Sequence, residues 1–127
     1  MKHVKDMVAE ANEHVARLSA DEAIARHGDE NTLFVDLRDP RELSREGKVP
    51  GAFHCPRGML EFWIDPESPY AKEEFQSGKD IVFYCASGWR SALSAKTAQD
   101  MGLPNVSHVE SGFGGWKKAG GPVERKD

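Results

Sequence analysis

One stretch of the chain places a nucleophile close to a permanent positive charge. Cys85 ends an apolar run of strand-forming residues, 81–84, and Arg90 follows after four intervening residues. A loop this short between a strand and a helix start makes successive backbone N–H groups converge, and the helix dipole adds positive potential there. Each of these effects favours the ionised form of the sulfur. The sequence therefore predicts a nucleophilic thiolate at Cys85.

Two neighbouring residues are expected to complete this loop. Gly88 supplies the backbone freedom that a tight curl requires, and Ser91 offers its hydroxyl to free donors at the helix start. A structural interpretation is also open, because a cysteine at a strand end is often a small buried hydrophobic residue. The short, glycine-containing and positively terminated loop favours the reactive interpretation.

The composition is typical of one globular domain. The chain has 127 residues, of which 39% are hydrophobic and 30% charged, and a net charge of -4 that predicts no general attraction for nucleic acid or for an anionic membrane. It has no apolar run that could cross a bilayer and no secretory signal, so a cytoplasmic location is expected. Cys55 and Cys85 form neither a metal-binding spacing nor a disulfide framework, which predicts reduced thiols and no metal.

Strands and helices alternate along the chain, which predicts an α/β fold with a parallel sheet. Residues 32–37 and 81–84 are predicted strands, a capping box at Ser19 and Glu22 begins a helix, and Pro40 opens another. Parallel sheets place their binding crevice beyond the carboxyl ends of the strands. Asp36, Arg38 and Cys85 are therefore expected at the same edge of the sheet.

Three segments are predicted. Residues 1–15 carry apolar side chains at helical spacing and form an amphipathic helical extension, which is expected to pack on the domain, a partner-binding helix being the alternative. Residues 16–123 form the domain itself, and residues 124–127 form a charged tail.

Three stretches of the chain carry motifs. Residues 85–91 read Cys-Ala-Ser-Gly-Trp-Arg-Ser, and residues 110–116 read as a glycine-rich turn into a tryptophan-bearing helix. An earlier stretch carries, in this order, Asp36, Arg38, Glu42, Gly47, Gly51, Ala52, His54 and Pro56. Together they resemble the rhodanese-like sulfurtransferase family, whose active-site loop is Cys-x-x-Gly-x-Arg followed by Ser or Thr. The resemblance implies a three-layer fold with a central, mostly parallel sheet of about five strands and helices on both faces.

The resemblance also implies a reaction. Cys85 would take the outer sulfur of thiosulfate or a thiol persulfide and pass it to a thiol or cyanide acceptor in a ping-pong cycle, with no metal or organic cofactor. Asp36 and Arg38 would brace the loop directly, through ion-pair and hydrogen-bond contacts, without reacting, and Ser91 would also support it. His54 and Cys55 are expected to be structural. The N–H groups that would hold the anionic donor belong to Ala86, Ser87, Gly88, Trp89 and Arg90. The side chain of Arg90 would be catalytic with Cys85, because it adds positive charge and braces the loop.

Two other functions are weighed against this one. Cysteine phosphatases and arsenate reductases have signatures that resemble His-Cys, five residues and Arg, whereas here Tyr84 precedes Cys85 and only four residues intervene, which makes a smaller cradle. A sulfur-relay or sensory module would hand its persulfide to a partner protein. Ala86 stands where many thiosulfate-active members carry a basic residue, and Trp89 makes the loop more apolar. Both residues favour a thiol persulfide or a protein partner over thiosulfate.

Overall fold

The computed structural model describes residues 1–125, so residues 126 and 127 of the predicted charged tail lie outside the described residues. The helices are α1 (Val4–His14), α2 (Ala20–Arg26), α3 (Pro40–Glu46), α4 (Leu60–Ile64), α5 (Trp89–Asp100) and α6 (Gly112–Lys118), with one-turn 3-10 helices at Arg57–Met59 and Glu73–Gln76. The strands are β1 (Ala16–Leu18), β2 (Thr32–Asp36), β3 (Phe53–His54), β4 (Asp80–Tyr84) and β5 (Val106–Val109). In residues 1–125, every helix is too short or too polar to span a membrane.

The five strands form one sheet in the order β1-β5-β4-β2-β3, and every pairing is parallel. This confirms the predicted α/β fold with a central parallel sheet. Strand β4 lies in the middle, where both of its faces are buried, which explains why its sequence is apolar without alternation. The carboxyl ends of β2 and β4 meet at one edge, as predicted for Asp36 and Cys85, because the two strands pair in register from Thr32 with Asp80.

Helices cover both faces of the sheet, which confirms the three layers. Alternate side chains of β4 enter two separate cores: Ile81 and Phe83 point to the face covered by α4 and α5, whereas Val82 and Tyr84 point to the face covered by α2 and α6. Buried alanines of α5 allow it to lie close on the sheet.

The N-terminal helix α1 packs on its own chain. Val8 and Ala11 bury their side chains against Ala92 of α5, and the side-chain amide of Gln99 donates a hydrogen bond to the carbonyl of His14 at 3.0 Å. Directly after α1, strand β1 joins the edge of the sheet beside β5. Helix α1 therefore covers α5, while the division of the chain at residue 16 stays a prediction.

The start of the predicted charged tail is held against the domain. Glu124 and Lys48 exchange two backbone hydrogen bonds of 2.8 and 2.9 Å in an isolated antiparallel bridge. Gly47 allows this close approach, because a Cβ there would lie 2.6 Å from the side chain of Val123. This contact closes the turn that follows α3.

Candidate active site

Cys85 directly follows strand β4, so it lies at the carboxyl edge of the sheet, at the start of the loop that leads into α5. The residue is only 1% exposed. Its Sγ accepts the backbone N–H of Gly88 at 3.2 Å and that of Ser91 at 3.4 Å. Two donors at the start of a helix therefore already point at the sulfur, an arrangement that favours negative charge there.

Further N–H groups of the loop have no protein partner. Within residues 1–125, no hydrogen bond is made by the backbone N–H of Ala86, Ser87, Trp89 or Arg90. The last two belong to the first turn of α5, where an intrahelical acceptor is lacking. The loop thus keeps unused donors beside Cys85, as an anion-binding loop requires.

Two glycines determine the shape of the loop. One lies in the loop and one in the turn after β5, and each packs closely against the backbone of the other segment. Gly88 has φ +104°, and a Cβ there would lie 2.1 Å from the carbonyl oxygen of Glu110. Gly112 has φ +67°, and a Cβ there would lie 2.4 Å from the carbonyl oxygen of Ala86. Only glycine fits at both positions, because each combines a left-handed φ with backbone contact.

The glycine-rich turn after β5 holds the first carbonyls of the loop. The N–H of Phe113 donates to the carbonyl of Cys85 at 2.8 Å, and the N–H of Gly114 donates to that of Ala86 at 3.2 Å. These two hydrogen bonds fix the carbonyls of Cys85 and Ala86 against the start of α6. The glycine-rich stretch 110–116 therefore contacts the loop stretch 85–91 directly.

The prediction that Ser91 caps the helix is wrong. Helix α5 begins at Trp89 with Gly88 as its N-cap, so Ser91 is already the third helical residue. Its hydroxyl oxygen instead lies 2.8 Å from Nδ1 of His108, 3.3 Å from the carbonyl of Gly88 and 3.7 Å from Sγ of Cys85. The hydroxyl therefore lies on the buried side of the sulfur. Sequence reasoning assigned no role to His108, although a histidine inside a buried strand signals a partnered polar group.

The guanidinium of Arg90 forms an ion pair with Glu42, a residue to which the sequence assigned no role. The guanidinium donates two hydrogen bonds to the carboxylate of Glu42, at 2.9 and 3.0 Å. The same carboxylate closes the capping box of α3 by accepting the N–H of Asp39. These hydrogen bonds, led by those from Arg90, lower the pKa of Glu42 to about 2. Arg90 thus ties α5 to α3 and does not stand as a free charge at Cys85.

Acid should remove the contribution of this ion pair to stability. The folded-state pKa of Glu42, about 2, lies below its ordinary 4.5, so the stabilisation is fully present above pH 4.5 and is lost as the pH falls towards 2. We expect wild type to be more stable than Glu42→Gln at pH 6, with a difference that shrinks between pH 4.5 and 2. Urea unfolding of both proteins at several pH values measures it. A difference that stays constant down to pH 2 would contradict the assignment.

A buried ion pair lies at the end of β2, beneath the loop. Asp36 and Arg38 are 0% and 1% exposed, and the guanidinium donates to both carboxylate oxygens of Asp36, at 3.0 and 2.7 Å. The hydroxyl of Tyr84 donates to the same carboxylate at 2.6 Å and accepts the N–H of Val49. Arg38 also donates to the carbonyl of Gly47. Burial first, and then the charge of Asp36, raises the pKa of Tyr84.

The Asp36 and Arg38 pair acts on the Cys85 loop only indirectly, through other residues. In residues 1–125, Asp36 and Arg38 make no hydrogen bond to residues 86–91, which differs from the direct bracing that the family resemblance implies. The Arg38 guanidinium instead lies 4.4 Å from the ring centroid of Phe113, whose N–H holds the carbonyl of Cys85. The pair therefore positions Tyr84 and Phe113, the neighbours of the reactive residue.

The predictions for the next two residues are confirmed. His54 is hydrogen-bonded through Nε2 to the carbonyl of Arg38 at 2.6 Å, and Cys55 is fully buried. Burial raises the pKa of the Cys55 thiol to about 12, so this sulfur stays protonated and unreactive. Both cysteines are buried, but among the described residues only the sulfur of Cys85 accepts backbone N–H groups.

A cavity of about 380 Å³ opens beside the loop. Its wall includes Ala86 of the loop, Phe113 and Gly114 of the glycine-rich turn, and Lys117 of α6. Ala86 is the loop residue in this wall, so the cavity gives a small molecule room at the start of the loop.

The family model for the rhodanese-like domain matches residues 19–119 of this chain. The chain belongs to the rhodanese-like domain family. The match contains both the Asp36 and Arg38 pair and the Cys85 loop. The solved structures that this fold resembles include rhodanese-like domains.

Three relatives place this rhodanese-like chain among known proteins. The thiosulfate:glutathione sulfurtransferase of Saccharomyces cerevisiae is 32% identical, covering 77% of this chain and 73% of that protein. The polysulfide-sulfur transferase homodimer of Wolinella succinogenes is 27% identical with a TM-score of 0.73, covering 97% and 88%. A protein of unknown function from Rhodopseudomonas palustris, described as a possible tyrosine phosphatase, is 59% identical with a TM-score of 0.96, covering 98% and 96%. The named sulfurtransferases support sulfur transfer as the general chemistry.

Proposed function

We propose that this chain is a sulfurtransferase in which Cys85 carries the transferred sulfur as a persulfide. The observation that carries the proposal is the sulfur at the start of α5, where it accepts two backbone N–H groups and lies beside four more that have no partner in residues 1–125. Such a loop stabilises negative charge both on a thiolate and on the terminal sulfur of a persulfide.

The proposed cycle has two displacements. In the first, the Cys85 thiolate attacks the outer sulfur of the donor, a new S–S bond forms, and the donor's S–S bond breaks with its electron pair leaving on sulfite or on a thiolate. In the second, an acceptor thiolate or cyanide attacks the terminal sulfur of the persulfide. The Cys85 sulfur then departs as the thiolate that begins the next cycle.

The surrounding residues have distinct roles in this proposal. The N–H groups of residues 86–90 bind the anionic donor and stabilise the persulfide, with Gly88 also donating to the sulfur itself. Arg90 anchors the start of α5 through Glu42, and Asp36 with Arg38 supports the strand end from below. None of these side chains exchanges a proton or a bond with the substrate.

The loop favours a thiol persulfide over thiosulfate as the donor. Ala86 contributes no positive charge for a small dianion, and Trp89 presents a half-exposed apolar ring at the start of α5. An exposed apolar ring in the loop suits a larger thiol persulfide or a protein that delivers or accepts the sulfur. A sulfur relay to a partner protein is the alternative within the same chemistry, and a cytoplasmic location stays a prediction.

Phosphoryl transfer is the less favoured alternative. It deserves a test because the 59% identical relative is described as a possible tyrosine phosphatase. Two features disfavour it in this chain: only four residues separate Cys85 from Arg90, and both terminal nitrogens of the Arg90 guanidinium are engaged by Glu42. An arginine held in this way has fewer free donors for the oxygens of a phosphoryl group.

The intact mass of the reduced protein after brief exposure to glutathione persulfide or thiosulfate tests the proposal. We expect wild type and Cys55→Ser to gain one sulfur atom, more readily from the persulfide, because Cys85 alone is held among N–H donors. Cys85→Ser should gain none. A folded wild-type protein that takes up no sulfur from either donor would contradict the proposal, and phosphatase activity would then be the next assay.

A further inference from the structure

A line of four polar side chains leads from the reactive sulfur to the N-terminal helix. Sγ of Cys85 lies 3.7 Å from Oγ of Ser91, which lies 2.8 Å from Nδ1 of His108, and Nε2 of His108 lies 2.8 Å from Oδ1 of Asn12. His108 is fully buried and points to the α1 and α5 side of the sheet. Nothing in the sulfur-transfer cycle described above uses it.

The partners of His108 determine where its protons lie. The Oδ1 atom of Asn12 only accepts hydrogen bonds, so Nε2 must carry a proton and Nδ1 is left as an acceptor. The Ser91 hydroxyl donates to Nδ1, which at 2.8 Å is closer than its other acceptor, the carbonyl of Gly88 at 3.3 Å. A lone pair of the Ser91 oxygen then faces the thiol. Every hydrogen bond in the line therefore runs outward from the sulfur.

We propose that Ser91 and His108 form a proton relay that removes the thiol proton of Cys85. The S–H bond breaks and sulfur keeps the electron pair, while its proton passes to Oγ of Ser91 and the original Ser91 hydroxyl proton passes to Nδ1 of His108. The products are a thiolate and an imidazolium. Asn12 is a positioning residue, because its carbonyl oxygen holds the proton on Nε2. The inference rests on Cys85 being the reacting sulfur of the proposed function.

The Cys85 thiolate is the charge that would stabilise a His108 imidazolium, because the other charged groups near the ring offset each other. Burial lowers the pKa of His108 to about 4, so the ring is neutral while Cys85 is a thiol. Arg17, opposite His108 on β1, and Glu110 shift the pKa of His108 in opposite directions, and they pair with each other at 3.0 Å. The residue opposite His108 on β4 is Phe83, which carries no charge. An imidazolium is therefore expected only next to an ionised sulfur.

The protonation of His108 in the wild-type protein decides the proposal directly. In a ¹⁵N-histidine NMR spectrum at pH 7, we expect both ring nitrogens of His108 to carry protons in wild type and only one in Cys85→Ala. The Cys85→Ala ring should be neutral because its counter-charge is gone. A neutral His108 in the reduced wild type at pH 7 would overturn the relay, and this readout does not depend on whether the protein transfers sulfur.

Alkylation of Cys85 by iodoacetamide gives a second readout, with the modified residue localised by peptide mass. At pH 7 we expect the rate to fall by about tenfold in Ser91→Ala and in His108→Asn, because only the thiolate reacts and a smaller fraction of the sulfur would be ionised without the relay. His14→Asn is the matched control, since His14 is exposed on the same helix as Asn12. A folded His108→Asn variant that is alkylated as fast as wild type would overturn the relay. A wild-type protein that is alkylated at Cys85 but takes up no sulfur would instead count against the proposed function.

Discussion

Replacing Asp36 by asparagine is expected to lower the free energy of unfolding by about 3–5 kcal/mol, because the buried Arg38 would lose its counter-charge. The Asp36 carboxylate accepts two hydrogen bonds from the guanidinium, one from the Arg38 N–H and one from the Tyr84 hydroxyl. An amide has one oxygen, so some of these buried donors would be left without an acceptor. Urea unfolding at neutral pH measures the loss.

Asp100→Asn is the matched control for this substitution. Asp100 also forms an ion pair, with Lys96, but the pair lies on the exposed surface of α5. Exposed pairs contribute little, so the control should change the free energy of unfolding by less than about 1 kcal/mol. If both variants lost the same small amount, the buried pair would not have the structural importance assigned to it. A large loss in Asp36→Asn alone would support the view that the pair holds Tyr84 beneath the reactive residue.

Replacing Gly88 by alanine is expected to reduce kcat/KM for sulfur transfer by about 100-fold or more, the usual effect of losing one oriented backbone donor. The new Cβ would lie 2.1 Å from the carbonyl oxygen of Glu110, so the two backbone segments cannot both remain in place. We expect the loop to shift and to withdraw the Gly88 N–H from the sulfur. Steady-state kinetics with a glutathione persulfide donor measure the effect.

Gly102 offers a control with nearly the same backbone conformation. It has φ +105°, against +104° for Gly88, but an added Cβ would meet nothing within 4 Å. Gly102→Ala therefore carries only the conformational cost of a left-handed alanine, which lowers stability slightly. We expect it to keep wild-type kcat/KM. Equal losses of activity in both variants would mean that backbone strain, and not the position of the loop, explains the effect.

Local sequence signals predicted the elements well. The capping box at Ser19 and Glu22 begins α2, and Pro40 is the first residue of α3. These signals succeed because a cap or a proline acts on neighbours only a few residues away. The parallel sheet was predictable for a related reason, since the order of strands and helices along the chain restricts the possible connections.

The roles of individual side chains were harder to predict when their partners are distant in the chain. Arg90 was expected to add charge at the sulfur and to brace the loop, which stays a prediction, but its pairing with Glu42, 48 residues earlier, was not foreseen. Ser91 was expected to cap a helix, but its hydroxyl contacts His108 because α5 begins before it. Neither partner can be read from the spacing of nearby residues.

The sequence by itself determined the α/β class, the position of the cysteine between a strand and a helix, and the need for glycine in its loop. Each of these depends on local backbone preferences and on the period of apolar residues. Only the tertiary structure decided which side chains surround Cys85, because the sheet brings β5 and α1 next to the start of α5. Hydrogen bonds require atoms to lie within a few tenths of an ångström of their ideal positions, and only the packed fold determines positions that closely.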